Sequence, residues 1–264
     1  MLNLFFGLFS FVLGTICGSF LNCVIYRLEV SKSFLKGRSY CPHCKHILDW
    51  RDLIPIFSFF ILRGKCRYCH KPISLQYPLV ELATGLLFVF TTYNLQPITY
   101  NLKILLNLGY QLLVVSCLVI IFVYDLKHYI IPDKVIYPAI IFALIFNFFT
   151  HQKFGGGFNN TILSAFGAAA FFLTIVLISR GKWMRIGDIK LAFLMGLFLG
   201  WPKILVALFF AFFTGAIIGI GLILAKKKKL KSEVPFGPFL VTGTFIALFW
   251  GQVLIDWYFR FFMI

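Results

Sequence analysis

Four cysteines fall into two C-x-x-C pairs, Cys41-Pro42-His43-Cys44 and Cys66-Arg67-Tyr68-Cys69, within one polar segment. Two such pairs are typical of a structural zinc site, in which each pair forms a tight turn and one tetrahedral ion joins the four thiolates. A redox pair or disulfides in the same segment are the alternative. Because four sulfurs already close such a site, we expect His43, His46 and His70 to be neighbours rather than ligands.

Two acidic residues stand at the ends of long apolar runs. Asp125 follows the run from Leu112 to Tyr124, and Asp188 precedes the run from Ile189 to Leu199. Two carboxylates close together in a low-dielectric site tend to share one proton, so one can activate water while the other polarises a peptide carbonyl. The pair predicts aspartic-protease chemistry, although ion or proton translocation would use intramembrane acids equally well.

The composition indicates the environment of these residues. Of the 264 residues, 60% are hydrophobic and 13% are charged, whereas a soluble domain is roughly 45–50% apolar and about 25% charged. One soluble core of this length cannot hide that much apolar surface, and disorder is excluded because it requires low hydrophobicity. Seven cysteines, sparse and odd in number, exclude a secreted disulfide scaffold. The chain is therefore predicted to be a membrane protein.

Eight apolar stretches approach the roughly 20 residues that a helix needs to cross a bilayer. They lie near residues 3–26, 75–93, 104–124, 135–149, 161–179, 188–200, 203–224 and 238–259. The fourth and the sixth are short. We predict an all-α, polytopic membrane helix bundle of about eight transmembrane helices, with a cytoplasmic zinc-binding loop between the first two.

The distribution of basic residues predicts the topology. The net charge is +16, and most Lys and Arg residues lie in the odd-numbered loops. The even-numbered loops and the C-terminus contain only Lys103, Lys153, Lys203 and Arg260. By the positive-inside rule, both termini are expected outside, with the zinc loop and both aspartates on the cytoplasmic side. The Lys226–Lys229 run is then expected to contact anionic lipid, and no nucleic-acid partner is predicted.

Short motifs follow one another along nearly the whole chain. They are Gly18-Ser19-Phe20-Leu21-Asn22, the loop from Cys41 to Cys69, Tyr77-Pro78-Leu79-Val80-Glu81-Leu82, Asp125 with Ile131-Pro132-Asp133, Gly187-Asp188-Ile189-Lys190-Leu191, and Pro235-Phe236-Gly237-Pro238-Phe239. In this order they resemble the bacterial type IV prepilin peptidases, which are polytopic membrane aspartyl proteases that often also methylate their product. The resemblance implies that Asp125 and Asp188 are the catalytic aspartates.

The resemblance also implies a substrate and a location. The enzyme would lie in the bacterial cytoplasmic (inner) membrane and cleave the basic leader from prepilins or pseudopilins of a type IV pilus or type II secretion machine. We expect the chain to divide into a first transmembrane helix at 1–29, the zinc-binding loop at 30–74 and a transmembrane aspartyl protease core at 75–264. Because the chain is basic like the leader, docking is expected to come from the substrate's apolar helix and from local acids such as Glu29, Asp49 or Asp52.

A second activity is implied by the resemblance, namely transfer of a methyl group from S-adenosylmethionine to the new N-terminus. Gly64 lies in the matching loop and is the nearest candidate for contact with this cofactor; an ordinary turn is the alternative. The other function classes left open are an ion- or proton-coupled transporter and a non-catalytic assembly protein of a pilus or secretion machine.

Arg185 departs from the family pattern. It stands where the family's G-x-G-D motif has its first glycine. Because glycine adopts backbone conformations that arginine does not, a different turn is one expectation. A cation three residues before Asp188 is also expected to favour the ionised carboxylate.

Overall fold

The computed structural model describes residues 2–31, 33, 37–95, 102–153, 157–181, 184–225 and 234–262. Within these ranges the chain is helical, with two isolated β-bridges and no longer strand. The helices are α1 (Leu2–Glu29), α2 (Phe57–Ile61), α3 (Gln76–Leu95), α4 (Leu102–His128), α5 (Asp133–Lys153), α6 (Phe158–Ser179), α7 (Ile186–Leu199), α8 (Lys203–Leu224) and α9 (Gly237–Phe262). The predicted all-α membrane fold class is confirmed.

Each of the eight predicted apolar stretches corresponds to a helix. Seven helices of the described chain are long and apolar enough to span a membrane, namely α1, α3, α4, α5, α6, α8 and α9. The fourth stretch belongs to α5, which has 21 residues and is longer than its apolar run. The sixth is α7, whose 14 residues extend about 21 Å, less than the hydrocarbon thickness of about 30 Å.

The chain forms two compact units, residues 1–120 and 121–264. In the first unit α1 packs along α3, with glycines at the points of closest approach. A Cβ on Gly14 would lie 2.8 Å from the Cα of Gly85, and one on Gly18 would lie 2.7 Å from the Cα of Glu81. Small residues are therefore what lets these two helices approach. The division at residues 29 and 74 stays a prediction.

In the second unit α7 packs against α5, α6, α8 and α9. Leu191, Leu194 and Met195 of α7 have no exposed surface, and an apolar helix without a polar face is the kind that buries all its sides. Gly196 lies so close to the backbone of Ala165 in α6 that no side chain fits at this position. The helix that begins beside Asp188 is thus a buried, closely packed element.

Candidate active site and metal centre

The two aspartates lie at helix ends in the second unit. Asp125 is in the last turn of α4 and Asp188 is in the first turn of α7. Both residues are buried, at 4% and 7% exposure. The charge of Asp188 acts on Asp125, and the guanidinium of Arg185 acts on both carboxyl groups. The structure therefore places the two predicted aspartates near Arg185 in the second unit, with the Asp125 carboxyl group within reach of the Asp188 charge.

Asp125 faces the N-terminus of α9. Its carboxylate accepts a hydrogen bond from the backbone N–H of Gly237, the first residue of that helix. The first N–H groups of a helix have no partner within the helix and carry partial positive charge, so they bind anions well. A Cβ on Gly237 would lie 2.5 Å from Oδ2 of Asp125. The approach therefore requires glycine, a role that the sequence motif alone does not assign to Gly237.

Asp188 is held by the start of its own helix. The backbone N–H of Arg185 donates to Oδ2 of Asp188 at 3.0 Å, and the N–H of Asp188 donates to the carbonyl of Arg185 at 3.0 Å. The first of these bonds is the one by which an acid at the third helical position caps a helix. Gly187 lies against Ile131, since an added Cβ would stand 3.2 Å from the Cβ of that residue. Asp188 is thereby fixed by backbone contacts.

Arg185 fits its position without strain. Its φ of −101° and ψ of 161° are extended backbone angles, which any residue adopts. The arginine therefore does not impose the unusual turn that its replacement of glycine suggested. Its Nη1 donates to the carbonyl of Tyr129 at 2.6 Å, and Tyr129 has a positive φ of 59° just beyond α4. The side chain thus connects the segments that carry the two aspartates.

Asp133, the third acid of this region, belongs to a separate contact. Its carboxylate accepts a hydrogen bond from Nζ of Lys190 at 2.7 Å. The same ammonium lies 4.6 Å from the ring centroid of Tyr137. These contacts join α5 to α7.

The four predicted zinc ligands converge in the first unit. The Sγ atoms of Cys41, Cys44, Cys66 and Cys69 all lie within 4.8 Å of one another, and those of Cys41 and Cys69 are 3.9 Å apart. A tetrahedral ion with Zn–S bonds of about 2.3 Å needs sulfurs about 3.8 Å apart, so the donor set fits zinc. All seven cysteines of the chain are free thiols, which gives the disulfide alternative no support.

Both C-x-x-C pairs form the same turn. The residue after each pair, Lys45 or His70, donates its backbone N–H to the carbonyl of the first cysteine at 2.9 Å. Both residues have a positive φ, 61° and 56°. His46 is absent from the sulfur cluster and stacks on the ring of Tyr68 at a centroid distance of 3.7 Å. Two copies of one turn therefore present four sulfurs to a common point.

The thiols of the cluster differ in their tendency to ionise. Desolvation disfavours the Cys41 thiolate, but backbone N–H groups of Cys44 and His43 outweigh it and lower the Cys41 pKa to about 7. The N–H of Lys71 favours the Cys69 thiolate, but desolvation and hydrogen bonds with the other cysteines outweigh it and raise the Cys69 pKa to about 11. Four thiols this close cannot all ionise without a cation between them.

Glu81 ties the metal loop to the helices of the first unit. The backbone N–H of Ile56, just before α2, donates to Oε2 of this buried carboxylate at 2.7 Å. Ser19 of α1 also bonds to Glu81 through its side chain. Because Ile56 is held at a positive φ of 63°, a conformation that costs free energy in a β-branched residue, the bond supports a strained turn.

Asp52, one of three acids expected to dock the leader, is bound within the loop. It accepts hydrogen bonds from Nε of Arg67 at 2.7 Å and from the hydroxyl of Tyr68 at 3.1 Å. Its side chain is only 3% exposed. Desolvation raises the pKa of Asp52, but these bonds and the N–H of Asp49 outweigh it and keep that pKa below its usual range. Docking of the leader at Glu29, Asp49 or Asp52 stays a prediction.

The structure supports the turn interpretation of Gly64. Gly64 has a φ of +67°, and an added Cβ would lie 3.2 Å from the ring of Phe59. A left-handed conformation packed on an aromatic ring is an ordinary reason for glycine. Contact of Gly64 with S-adenosylmethionine stays a prediction. The Lys226–Lys229 run lies outside the described residues.

Two family models match this chain. Residues 12–95 match the bacterial peptidase A24 N-terminal domain, and residues 112–220 match the type IV leader peptidase family. No solved structure matches the chain.

Curated proteins match over most of the chain as well. A prepilin leader peptidase/N-methyltransferase of Aeromonas hydrophila is 34% identical, over 97% of this chain and 94% of that protein. Proteins of the same name from Myxococcus xanthus (strain DK1622) and Bacillus subtilis (strain 168) are 37% and 31% identical. The match to the Myxococcus xanthus protein covers 83% of this chain and 64% of that protein. The match to the Bacillus subtilis protein covers 95% of this chain and 96% of that protein.

Proposed function

Because the chain belongs to the type IV leader peptidase family, we propose that it is a membrane-embedded aspartic endopeptidase that removes the basic leader from type IV prepilins or pseudopilins. The observation that supports this best is the coupled pair of buried carboxylates, Asp125 and Asp188, at the ends of two helices. These two are the catalytic residues. No observation on the described residues favours the transport or the non-catalytic alternative.

The two aspartates act as a unit that holds one proton between them. The ionised carboxylate takes a proton from water as the water oxygen adds to the scissile carbonyl carbon, and the protonated carboxyl group hydrogen-bonds the carbonyl oxygen. The C–N bond then breaks, the leader leaves as a carboxylate and the proton passes to the new amine. Gly237 and Arg185 contribute backbone N–H groups that keep the carboxylate oxygens in place.

N-methylation of the product is the second proposed activity. Bound S-adenosylmethionine would supply the methyl group for the nitrogen of the new N-terminus, with S-adenosylhomocysteine and a proton as the other products. The relatives' name supports this step. Gly64 is the candidate residue for contact with this cofactor.

Zinc, held by Cys41, Cys44, Cys66 and Cys69, is proposed to be structural. Four protein ligands fill a tetrahedral ion, so no position is left for water or substrate. A loop without a hydrophobic core of its own can obtain its folding free energy from such an ion. The metal is thus expected to hold the loop rather than take part in hydrolysis.

The proposed location is the bacterial inner membrane, crossed several times, with both termini outside. The zinc loop and the two aspartates then lie on the cytoplasmic side, where a leader peptide remains after membrane insertion of its helix. The excess of basic residues in the odd-numbered loops supports this orientation. Anionic lipids are the proposed partners of the Lys226–Lys229 run, and residues 1–29, 30–74 and 75–264 are the proposed functional divisions.

One assay tests the function directly. The purified chain in detergent is mixed with a prepilin and S-adenosylmethionine, and the products are read by mass spectrometry. We expect a cleaved pilin that carries one added methyl group. Asp125→Asn and Asp188→Asn should each abolish cleavage, because one carboxylate cannot serve as both acid and base, while the protein still accumulates in the membrane. Full cleavage by either variant would contradict the assignment.

A further inference from the structure

Arg185 occupies a position between the two segments that carry the aspartates. Its side chain reaches the carbonyl of Tyr129, four residues beyond Asp125, at 2.6 Å. Its backbone N–H donates to Asp188, three residues further on, at 3.0 Å. One residue therefore bonds to the segment that follows Asp125 and to Asp188 itself. The glycine of the family's motif has no side chain, so it could not make the first of these bonds.

We propose that Arg185 is a positioning residue of the aspartate pair, and that its guanidinium fixes the end of α4 against the start of α7. The proposal rests on the assignment of Asp125 and Asp188 under the proposed function. It adds to that function a residue that does not touch substrate but determines how the two carboxylates are held.

The turn after α4 is one that gains from such a contact. Tyr129 has a φ of 59°, a left-handed conformation that is uncommon outside glycine, asparagine and aspartate. Its N–H closes the last turn of α4 by donating to the carbonyl of Asp125 at 2.9 Å. Its own carbonyl is the acceptor for Arg185. A displaced Tyr129 would therefore shift the helical turn that presents the Asp125 carboxylate.

The charge of Arg185 also helps to hold the two aspartates close together, as its hydrogen bond does. The guanidinium attracts both carboxyl groups, whereas two carboxylates on their own repel each other. Lys190, a basic residue of α7, is engaged elsewhere, by Asp133 at 2.7 Å and by the ring of Tyr137. A cation that attracts both carboxyl groups thus lowers the cost of keeping the two acids close.

The test compares Arg185→Gly, Arg185→Lys and Arg185→Gln in prepilin cleavage. Glycine removes the side chain but keeps the backbone N–H that bonds to Asp188, so the comparison isolates the guanidinium. A hydrogen bond to a charged group, discounted for the exposure of this arginine, corresponds to about a tenfold change. We expect kcat to fall about tenfold in Arg185→Gly with KM little changed. Lysine should retain most activity and glutamine an intermediate level.

Chemical rescue separates positioning from a general loss of structure. Because Arg185 is exposed, added guanidinium at millimolar concentration should restore part of the activity of Arg185→Gly, but none in Asp125→Asn. Arg180→Gly is the matched control. Arg180 lies in the same connection between α6 and α7, has a φ of 50° that suits glycine, and its loss should leave cleavage unchanged.

Two results would overturn the proposal. One is wild-type cleavage by Arg185→Gly, and the other is a loss that neither lysine nor added guanidinium reverses. If the unaltered protein does not cleave prepilin at all, the proposed function itself fails, so the wild-type reaction distinguishes the two failures. If Arg185→Gly does not accumulate, Arg185→Lys and Arg185→Gln provide the test. Cleavage by Arg185→Gln as fast as by Arg185→Lys and by the wild type would also overturn the proposal.

Discussion

The position of the Asp125 carboxylate depends on residue 237 being glycine, which has no Cβ. The N–H of this glycine donates to Asp125, and an added Cβ would stand 2.5 Å from the carboxylate oxygen. A methyl group there must displace either the carboxylate or the start of α9. The smallest possible substitution at this position is therefore expected to disturb the acid without changing any charge.

We predict that Gly237→Ala lowers prepilin cleavage by at least about tenfold, while the protein still accumulates in the membrane. The physical reason is that the hydrogen bond from the residue 237 N–H to Asp125 is lost, and with it the orientation of the Asp125 carboxylate. Initial cleavage rates at saturating prepilin provide the measurement. Gly219→Ala is the control, because a Cβ on Gly219 meets nothing within 4 Å. Equal activity of the two variants would show that Gly237 has no such role.

Residue type and spacing sufficed to select Asp125, Asp188 and the four cysteines as candidates. Acids are scarce in this chain and C-x-x-C pairs are distinctive, so few alternatives competed. Gly237 and Arg185 belong to the sequence motifs, but their contacts are not predictable from the motifs. Their partners are Asp125 and Tyr129, more than 50 residues away in sequence, and only helix packing brings them together.

The metal loop is an element with two different supports. The sulfur cluster closes it through two identical turns, and the Ile56–Glu81 bond holds it to α3. The first support depends on an ion and the second does not. Removal of the metal should therefore loosen the two turns while the segment near α2 keeps its attachment.

We predict that Cys66→Ser releases zinc and makes the loop sensitive to protease, because three sulfurs and a hydroxyl bind the ion less well. Metal content by elemental analysis and limited proteolysis of the purified protein provide the measurement. Cleavage sites should fall around Cys41–His70, and the membrane helices should stay intact. Cys23→Ser is the control, since Cys23 lies in α1 outside the cluster. Unchanged zinc in Cys66→Ser would refute the assignment.

Helix existence was more predictable than helix length. The predicted stretch 135–149 became α5, Asp133–Lys153, because polar residues near the end of a helix do not terminate it. Pro138 is the sixth residue of α5, so it removes the hydrogen bond that an N–H there would donate to the carbonyl of Lys134, and the helix nevertheless continues to Lys153. The five-residue α2 lies in a polar loop and gives no periodic pattern of its own, so apolar periodicity could not indicate it.

The fold class of the whole chain follows from its composition more directly than the structure of any single element does. An apolar fraction of 60% leaves few options besides a helical membrane bundle. Sidedness, by contrast, depends on loop charges that only a lipid bilayer and a translocation machinery interpret. Sidedness is thus a property of the protein after its insertion into the membrane, and a topology experiment is the way to measure it.

We predict that both termini and the even-numbered loops face outward, because Lys and Arg are retained on the cytoplasmic side. Alkaline phosphatase fused after the last residue should be active, since this enzyme folds only outside the cytoplasm. Fusions that end after Ser74 or after Lys231 should be inactive as phosphatase and active as β-galactosidase. The reverse pattern would invert the topology and place both aspartates on the wrong side for a cytoplasmic leader.

The shortness of α7 has a consequence for the second reactant, water. Its 14 residues extend about 21 Å, roughly 9 Å less than the hydrocarbon layer. Because α7 packs against four other helices, its sides contact protein. The difference in length between α7 and the hydrocarbon layer therefore concerns its two ends. Asp188 stands at one of these ends. A recess there would admit solvent below the membrane surface, so that hydrolysis can occur at a depth that the substrate's apolar helix also reaches.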